Sequence, residues 1–279
     1  MYKQKIGFIG LGLMGGSLSL TLRKISPDSM FIGLDHNTLH CEQALALNLV
    51  DKITTSLDII KTCDIIIISI PVNSIIKVAQ NLAPLPKHCT VIDLGSTKAK
   101  ISASIPLEIR ENFITAHPMT GTEKFGPSAA IPNLYQDKVV VLCDLEKSGV
   151  FQRKIANALF ENIGMKIVTM NAKEHDRHAG FISHTPHALS YALANSVLKQ
   201  EDSSCIVTLA GGGFRDMSRI AKSSPNMWED IFKQNKDNVL ESIEAFEEEL
   251  HKCKNMIKEE NWEALNEWMG EANKLHDIL

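Results

Sequence analysis

The chain has 279 residues, with 44% hydrophobic and 22% charged side chains; at roughly 100–200 residues per domain this is material for about two folded domains, not for a disordered chain or a disulfide-stapled mini-protein. Its longest apolar run, Ile65–Val72 broken by Ser69, is far short of the roughly 20 residues a membrane span needs, and the opening MYKQKIGFIG has no secretory cleavage pattern. The net charge of −4 argues against nucleic acid as the main partner; it is split between 17 Lys/Arg against 14 Asp/Glu over residues 1–170 and 12 against 19 over residues 171–279.

In chain order, Lys5–Ile9 reads as a strand and Met14–Lys24 as a helix. Met30–Leu34 is a second strand and Thr38–Leu47 a second helix. Asp64–Ile70 (DIIIISI) is the β-branched run expected of a strand buried on both faces. Asn73–Leu82 returns to helical spacing. Thr90–Leu94, Phe113–Ala116, Lys138–Leu142 and Lys166–Thr169 are further strands, with helices over Thr97–Ser104 and Lys147–Ile163. The alternation predicts a parallel sheet with helices on both faces. After Met170 strand signals stop. Helices are predicted over Glu174–Lys199, Ser203–Leu209, Phe214–Ala221, Asn226–Glu260 with a break, and Trp262–His276, and Asn171 is placed to cap the first. The expected architecture is an α/β Rossmann-type doubly wound sheet domain over 1–170, followed by an all-α domain over 171–279 whose long helices suit a dimer interface. The six cysteines show no CxxC spacing, and free thiols in a reducing cytoplasm are expected.

Gly10-Leu11-Gly12-Leu13-Met14-Gly15 is a GxGxxG between a strand and a helix, and Asp35 ends the next strand. Gly10 serves the tight turn, Gly12 the approach of a pyrophosphate, and Gly15 the close packing of helix on strand. The first turn, Leu13 and Met14 included, offers its N–H groups to phosphates. Asp35 suits the adenosine ribose hydroxyls, and no Arg follows it, so NAD is expected over NADP. By the switch-point rule, Ser69 and Pro71 after one strand and Ser96 after the next reach the reactive end of the dinucleotide. Ser96 also reads as a plain helix N-cap. His117, held extended by Pro118, has the pKa range of a general base, or is simply a surface histidine.

The segments GLGLMGGSL (10–18), IDLGSTKAK (92–100), HPMTGTEKFG (117–126), EHDRHAGFISHTPHALSYAL (174–193) and GGGFRDMSRIAKSSPNMWEDIF (211–232) resemble the prephenate dehydrogenase family over nearly the whole chain. The resemblance implies NAD-dependent oxidative decarboxylation of prephenate, a dianion, to 4-hydroxyphenylpyruvate. It implies catalytic roles for His117 as proton acceptor, Ser96 as the group that orients it, and Arg219 as the carboxylate-binding cation. His187 and Thr122 would line the substrate. It further implies a homodimer of the compact, monofunctional form. No metal, membrane or nucleic-acid partner is expected.

Three other readings compete. An arogenate dehydrogenase differs only at the substrate's side-chain nitrogen. A β-hydroxyacid dehydrogenase shares the opening GFIGLGLMG but needs a lysine in the interdomain helix, where this chain offers His175, His178, His184 and His187. A non-catalytic NAD-binding module would have no use for His117, Ser96 and Arg219.

Overall fold

The computed structural model describes residues 4–278. One eight-stranded sheet forms from β1 (Lys5–Ile9), β2 (Met30–Leu34), β3 (Lys52–Ile53), β4 (Ile65–Ile68), β5 (Thr90–Asp93), β6 (Phe113–Pro118), β7 (Val139–Cys143) and β8 (Lys166–Met170), in the order 3-2-1-4-5-6-7-8. The first six make the doubly wound arrangement, with the switch point between β1 and β4. The helices α1 (Leu13–Ile25), α2 (Thr38–Ala46), α3 (Leu57–Ile60), α4 (Val72–Leu82), α5 (Ala99–Ser104) and α6 (Val150–Asn162) connect or flank the strands.

The two-residue period of a strand divides the core. Ile65 and Ile67 enter one cluster with Leu18 and Leu22 of α1 and Phe160 of α6. Ile66 and Ile68 enter the other, with Val72 and Ile75 of α4. All four isoleucines of β4 are buried, each contributing roughly 1.5–3 kcal/mol of transfer free energy. A continuous β-branched run is what a strand covered on both faces requires.

The sheet is not wholly parallel. β7 pairs antiparallel with β6, and β8 parallel with β7. A parallel return needs a crossover, usually a helix. α6 supplies one between β7 and β8, whereas residues 119–138 contain only a short 3₁₀ turn at Pro127–Ala129, so the chain reverses directly. β6 also outruns its neighbour. The last residues paired across β1, β4, β5 and β6 form the row Ile9–Ile68–Asp93–Thr115. Ala116, His117 and Pro118 continue past that row, paired only with β7. At about 3.3 Å per residue, His117 therefore stands about 7 Å above the carboxyl ends of the parallel strands.

Asn171 caps the next helix, its side chain accepting the Glu174 N–H at 2.8 Å. The predicted single helix over 174–199 is α7 (Ala172–Ala179), a π turn (Gly180–His184) and α8 (Thr185–Leu198). Pro186 has no N–H for the Ile182 carbonyl, and the turn before it is the wider kind, with the Thr185 N–H bonded to the Gly180 carbonyl. After α9 (Ser203–Thr208) and α10 (Gly212–Ser218), the predicted break near 226–260 falls at Asn235, between α11 (Pro225–Gln234) and α12 (Lys236–Lys258); α13 (Trp262–Asn273) packs back on α12. The helical half is not a free appendage: Trp228 and Ile231 of α11 belong to the same buried cluster as β4 and α4. No described helix is long and apolar enough to cross a membrane.

Candidate active site

The glycine-rich turn is built as its residue types demand. Gly10 has φ of +94°, and a Cβ there would run into the Ser69 carbonyl. A Cβ on Gly15 would strike the Gly10 carbonyl and the Ser69 hydroxyl. Gly12 differs: a Cβ would meet nothing closer than Gly126 N, at 4.0 Å. The face above Gly12 is thus open, at the start of a helix with no capping side chain and no acidic residue in its first turn, which is a place for an anion. Leu13 opens that helix, and Met14 takes the Tyr135 phenol on its carbonyl at 2.7 Å.

Asp35 sits at the end of β2 with a nearly buried side chain. It accepts the Leu11 N–H at 2.9 Å and the Asn37 N–H at 2.9 Å, tying the turn to the next strand. Ser69 is spent inside the protein, since its hydroxyl donates to the Gly10 carbonyl at 2.9 Å. It braces the turn where the sequence suggested a direct cofactor contact. Pro71 precedes the first residue of α4 at the same rim.

His117 is buried, in a strand and not on a surface loop. Lys98, fully buried, bonds the Ala116 carbonyl at 2.7 Å and the Asp93 carboxylate. His117 Nδ1 lies 2.8 Å from His175 Nε2, and His175 Nδ1 lies 2.8 Å from Asp176 Oδ1. The same carboxylate accepts the N–H groups of Lys98 at 2.7 Å and Ala99 at 2.8 Å. Two sequence expectations are corrected here. The start of α5 is capped by Asp176, not by Ser96. The nitrogen that orients His117 is held by His175, with no hydrogen bond from Ser96. The Ser96 side chain is half-exposed beside that loop. Burial first, with the positive charge of Lys98 adding to it, holds the His117 imidazole well below its usual pKa, so it is neutral near pH 7.

A second group lies on the helical side. His187 Nδ1–H donates to the Ser183 carbonyl at 2.9 Å, and the ring stacks on Trp228, with ring centroids 3.6 Å apart. His184, on the other flank, meets Trp228 edge-on at 5.9 Å, and burial pushes its pKa down to about 4. Burial also lowers the pKa of His187, with the Arg219 charge adding to the effect. Arg219, in the 3₁₀ turn that follows α10, lies 3.7 Å from Glu123 with most of its side chain in solvent. Thr122, beside Glu123, is exposed and accepts the Lys124 N–H at 3.2 Å. The loop after His117 therefore meets Arg219 through Glu123. Trp228 thus lies between His187 and His184, in ring contact with both.

His175, Asp176 and Trp228 were not singled out from the sequence as site residues. His175 contacts a residue 58 positions away, and the available signal was an adjacent His-Asp pair inside a capped first turn.

The chain matches the family model "Prephenate dehydrogenase, nucleotide-binding domain" over residues 18–169 and "Prephenate dehydrogenase, dimerization domain" over residues 171–271. It is 32% identical over 283 residues to the prephenate dehydrogenase of Bacillus subtilis, covering 99% of this chain and 76% of that one. It superposes on the crystal structure of prephenate dehydrogenase from Aquifex aeolicus in complex with hydroxyphenyl propionate and NAD+, with a TM-score of 0.93 and 33% identity, covering 100% of this chain and 99% of that one. Synechocystis arogenate dehydrogenase gives a TM-score of 0.81 at 29% identity, over 98% and 99% of the two chains.

Proposed function

Because this chain belongs to the prephenate dehydrogenase family, we propose that it catalyses the NAD-dependent oxidative decarboxylation of prephenate to 4-hydroxyphenylpyruvate. The observation that carries the reading is the neutral, buried imidazole of His117, raised above the carboxyl ends of the strands on the same edge of the sheet as the open glycine-rich turn, three strands away.

The turn suits a dinucleotide, since the space over Gly12 is free where Gly10 and Gly15 are crowded. Gly10, Gly12, Leu13, Met14 and Gly15 would hold the pyrophosphate, Asp35 the adenosine ribose, and the rim at Pro71 the far end, with Ser69 bracing the turn beneath. NAD, when bound, supplies the acceptor for the hydride from ring carbon C4. His117 Nε2 takes the C4 hydroxyl proton as that carbon is oxidised. The ring ketone is then conjugated to the carbon bearing the carboxylate, CO2 leaves, and the ring becomes aromatic. The proton returns to the phenolic oxygen. Arg219 pairs with one of the two substrate carboxylates, its only ionic partner among the described residues being Glu123 at 3.7 Å. His187, Thr122 and Ser96 border the substrate in this reading.

Arogenate, in place of prephenate, is the second reading, favoured by the similarity to Synechocystis arogenate dehydrogenase. Initial rates of NAD reduction with each compound decide between them: prephenate turnover is expected, and turnover of arogenate alone reverses the assignment. The homodimer follows from the dimerization-domain match over 171–271 and from exposed apolar side chains such as Leu209, Met217, Leu250 and Trp262 in that half. A catalytically active monomer in sedimentation would remove it.

A further inference from the structure

The geometry points to Asp176 and His175 as a two-member relay that fixes the tautomer of His117, leaving its Nε2 bare to receive a proton. The inference rests on the reading of His117 as the base. It starts from the carboxylate. Asp176 accepts N–H groups from Lys98, Ala99 and His175, and an ionised carboxylate can only accept. His175 Nδ1 must therefore carry a hydrogen. Lys98 Nζ is spent on Asp93; in the relay the buried His175 is the neutral Nδ1–H form, with Nε2 as the acceptor. The 2.8 Å contact with His117 is then a bond donated by His117 Nδ1–H. A neutral His117 protonated at Nδ1 has its lone pair on Nε2. Without the relay the two tautomers of an imidazole interconvert, and the one protonated at Nε2 accepts nothing there. The same carboxylate caps α5, so the loop carrying Ser96 and the orientation of the base are set by one group. His175 and Asp176 are positioning residues, acting through His117.

The test compares the parent enzyme with His175→Leu, which removes the acceptor, and His175→Gln, whose side-chain carbonyl stands where Nε2 stood. Nitrogen-15 NMR of histidine-labelled protein reads the His117 tautomer directly. Protonation at Nδ1 is expected in the parent and in H175Q, and a mixture in H175L. With prephenate, kcat of H175L is expected to fall about 10²–10⁴-fold while KM moves less than about threefold, the span of a misplaced general base. H175Q is expected to regain most of the loss. NAD affinity and thermal midpoint close to the parent's establish that each variant is folded. His117 protonated at Nε2 in the parent, or H175L turning over within about twofold of it, would overturn the relay. Should H175L fail to fold, the parent's tautomer and the H175Q rate still decide. A parent that leaves prephenate untouched defeats the functional reading instead, and the tautomer on the same sample still judges the relay.

Discussion

Gly12 and Gly15 lie three positions apart and answer to different demands. A methyl group on Gly15 has to displace the Gly10 carbonyl and the Ser69 hydroxyl, so Gly15→Ala is expected to lower the unfolding free energy by about 1–3 kcal/mol in urea titration. Gly12 has φ −73° and ψ −160°, a conformation open to any residue, and empty space beyond it. Gly12→Ala should leave stability unchanged and weaken NAD binding about tenfold or more, about 1.4 kcal/mol in calorimetry. At His117 the outcome is again separable: His117→Asn is expected to keep its NAD affinity and lose about 10²–10⁴-fold in turnover. The buried histidines also set an acid limit. The folded chain holds His184 near a pKa of about 4, against 6.5 when unfolded, and burial moves His117 in the same direction. The unfolded state therefore binds more protons below pH 6.5, and stability falls as pH drops from there toward about 4. Urea midpoints over that range should decline, more shallowly in His184→Gln.

The overhang of β6 decides where chemistry happens. Had β6 stopped level with Asp93, His117 would lie in the connecting loop; pairing with β7 carries it upward as rigid strand. Hydrophobic periodicity made the strands legible, because Ile65–Ile68 and Val139–Cys143 announce themselves within a few residues. It is blind to direction, so the reversal between β6 and β7 could be read only from the missing crossover helix. The two-residue β3 is too short to carry a pattern. A break within 226–260 was legible, but neither its place nor its use as a joint, which is Asn235. Its amide donates to the Asp176 carbonyl at 2.7 Å and faces His184 Nδ1 at 2.9 Å, while its oxygen accepts from Asn238 at 2.6 Å. Asn235→Ala orphans these buried partners and is expected to cost about 1–3 kcal/mol in urea unfolding. Ser96 shows why local rules mislead at such places: the capping carboxylate comes from 78 positions away.

At the scale of the molecule, the glycine-rich turn and Asp35 were legible because their geometry is local, and Arg219 and His187 only through whole segments that resemble a family. The joining of the halves was not legible. Trp228 and Ile231 complete a cluster begun by β4, α4 and α5, and Thr97 donates to Gln234, which in turn donates to Asn73. Trp228→Ala is expected to cost about 3–5 kcal/mol and to raise hydrogen exchange in α4 as well as α11, since one cluster serves both. Lys98 and Asp93 form a buried pair beneath the site; Lys98→Ala leaves the carboxylate uncompensated, a loss of about 3–5 kcal/mol measurable by chemical denaturation. The shared cluster has a consequence for biosynthesis. When Met170 leaves the ribosome, the whole sheet has been made, yet Asp176 and then Trp228 and Ile231 are still to come. At roughly 5–20 residues per second, the nascent sheet waits several seconds with apolar surface uncovered, and that interval is when a chaperone has most to offer this chain.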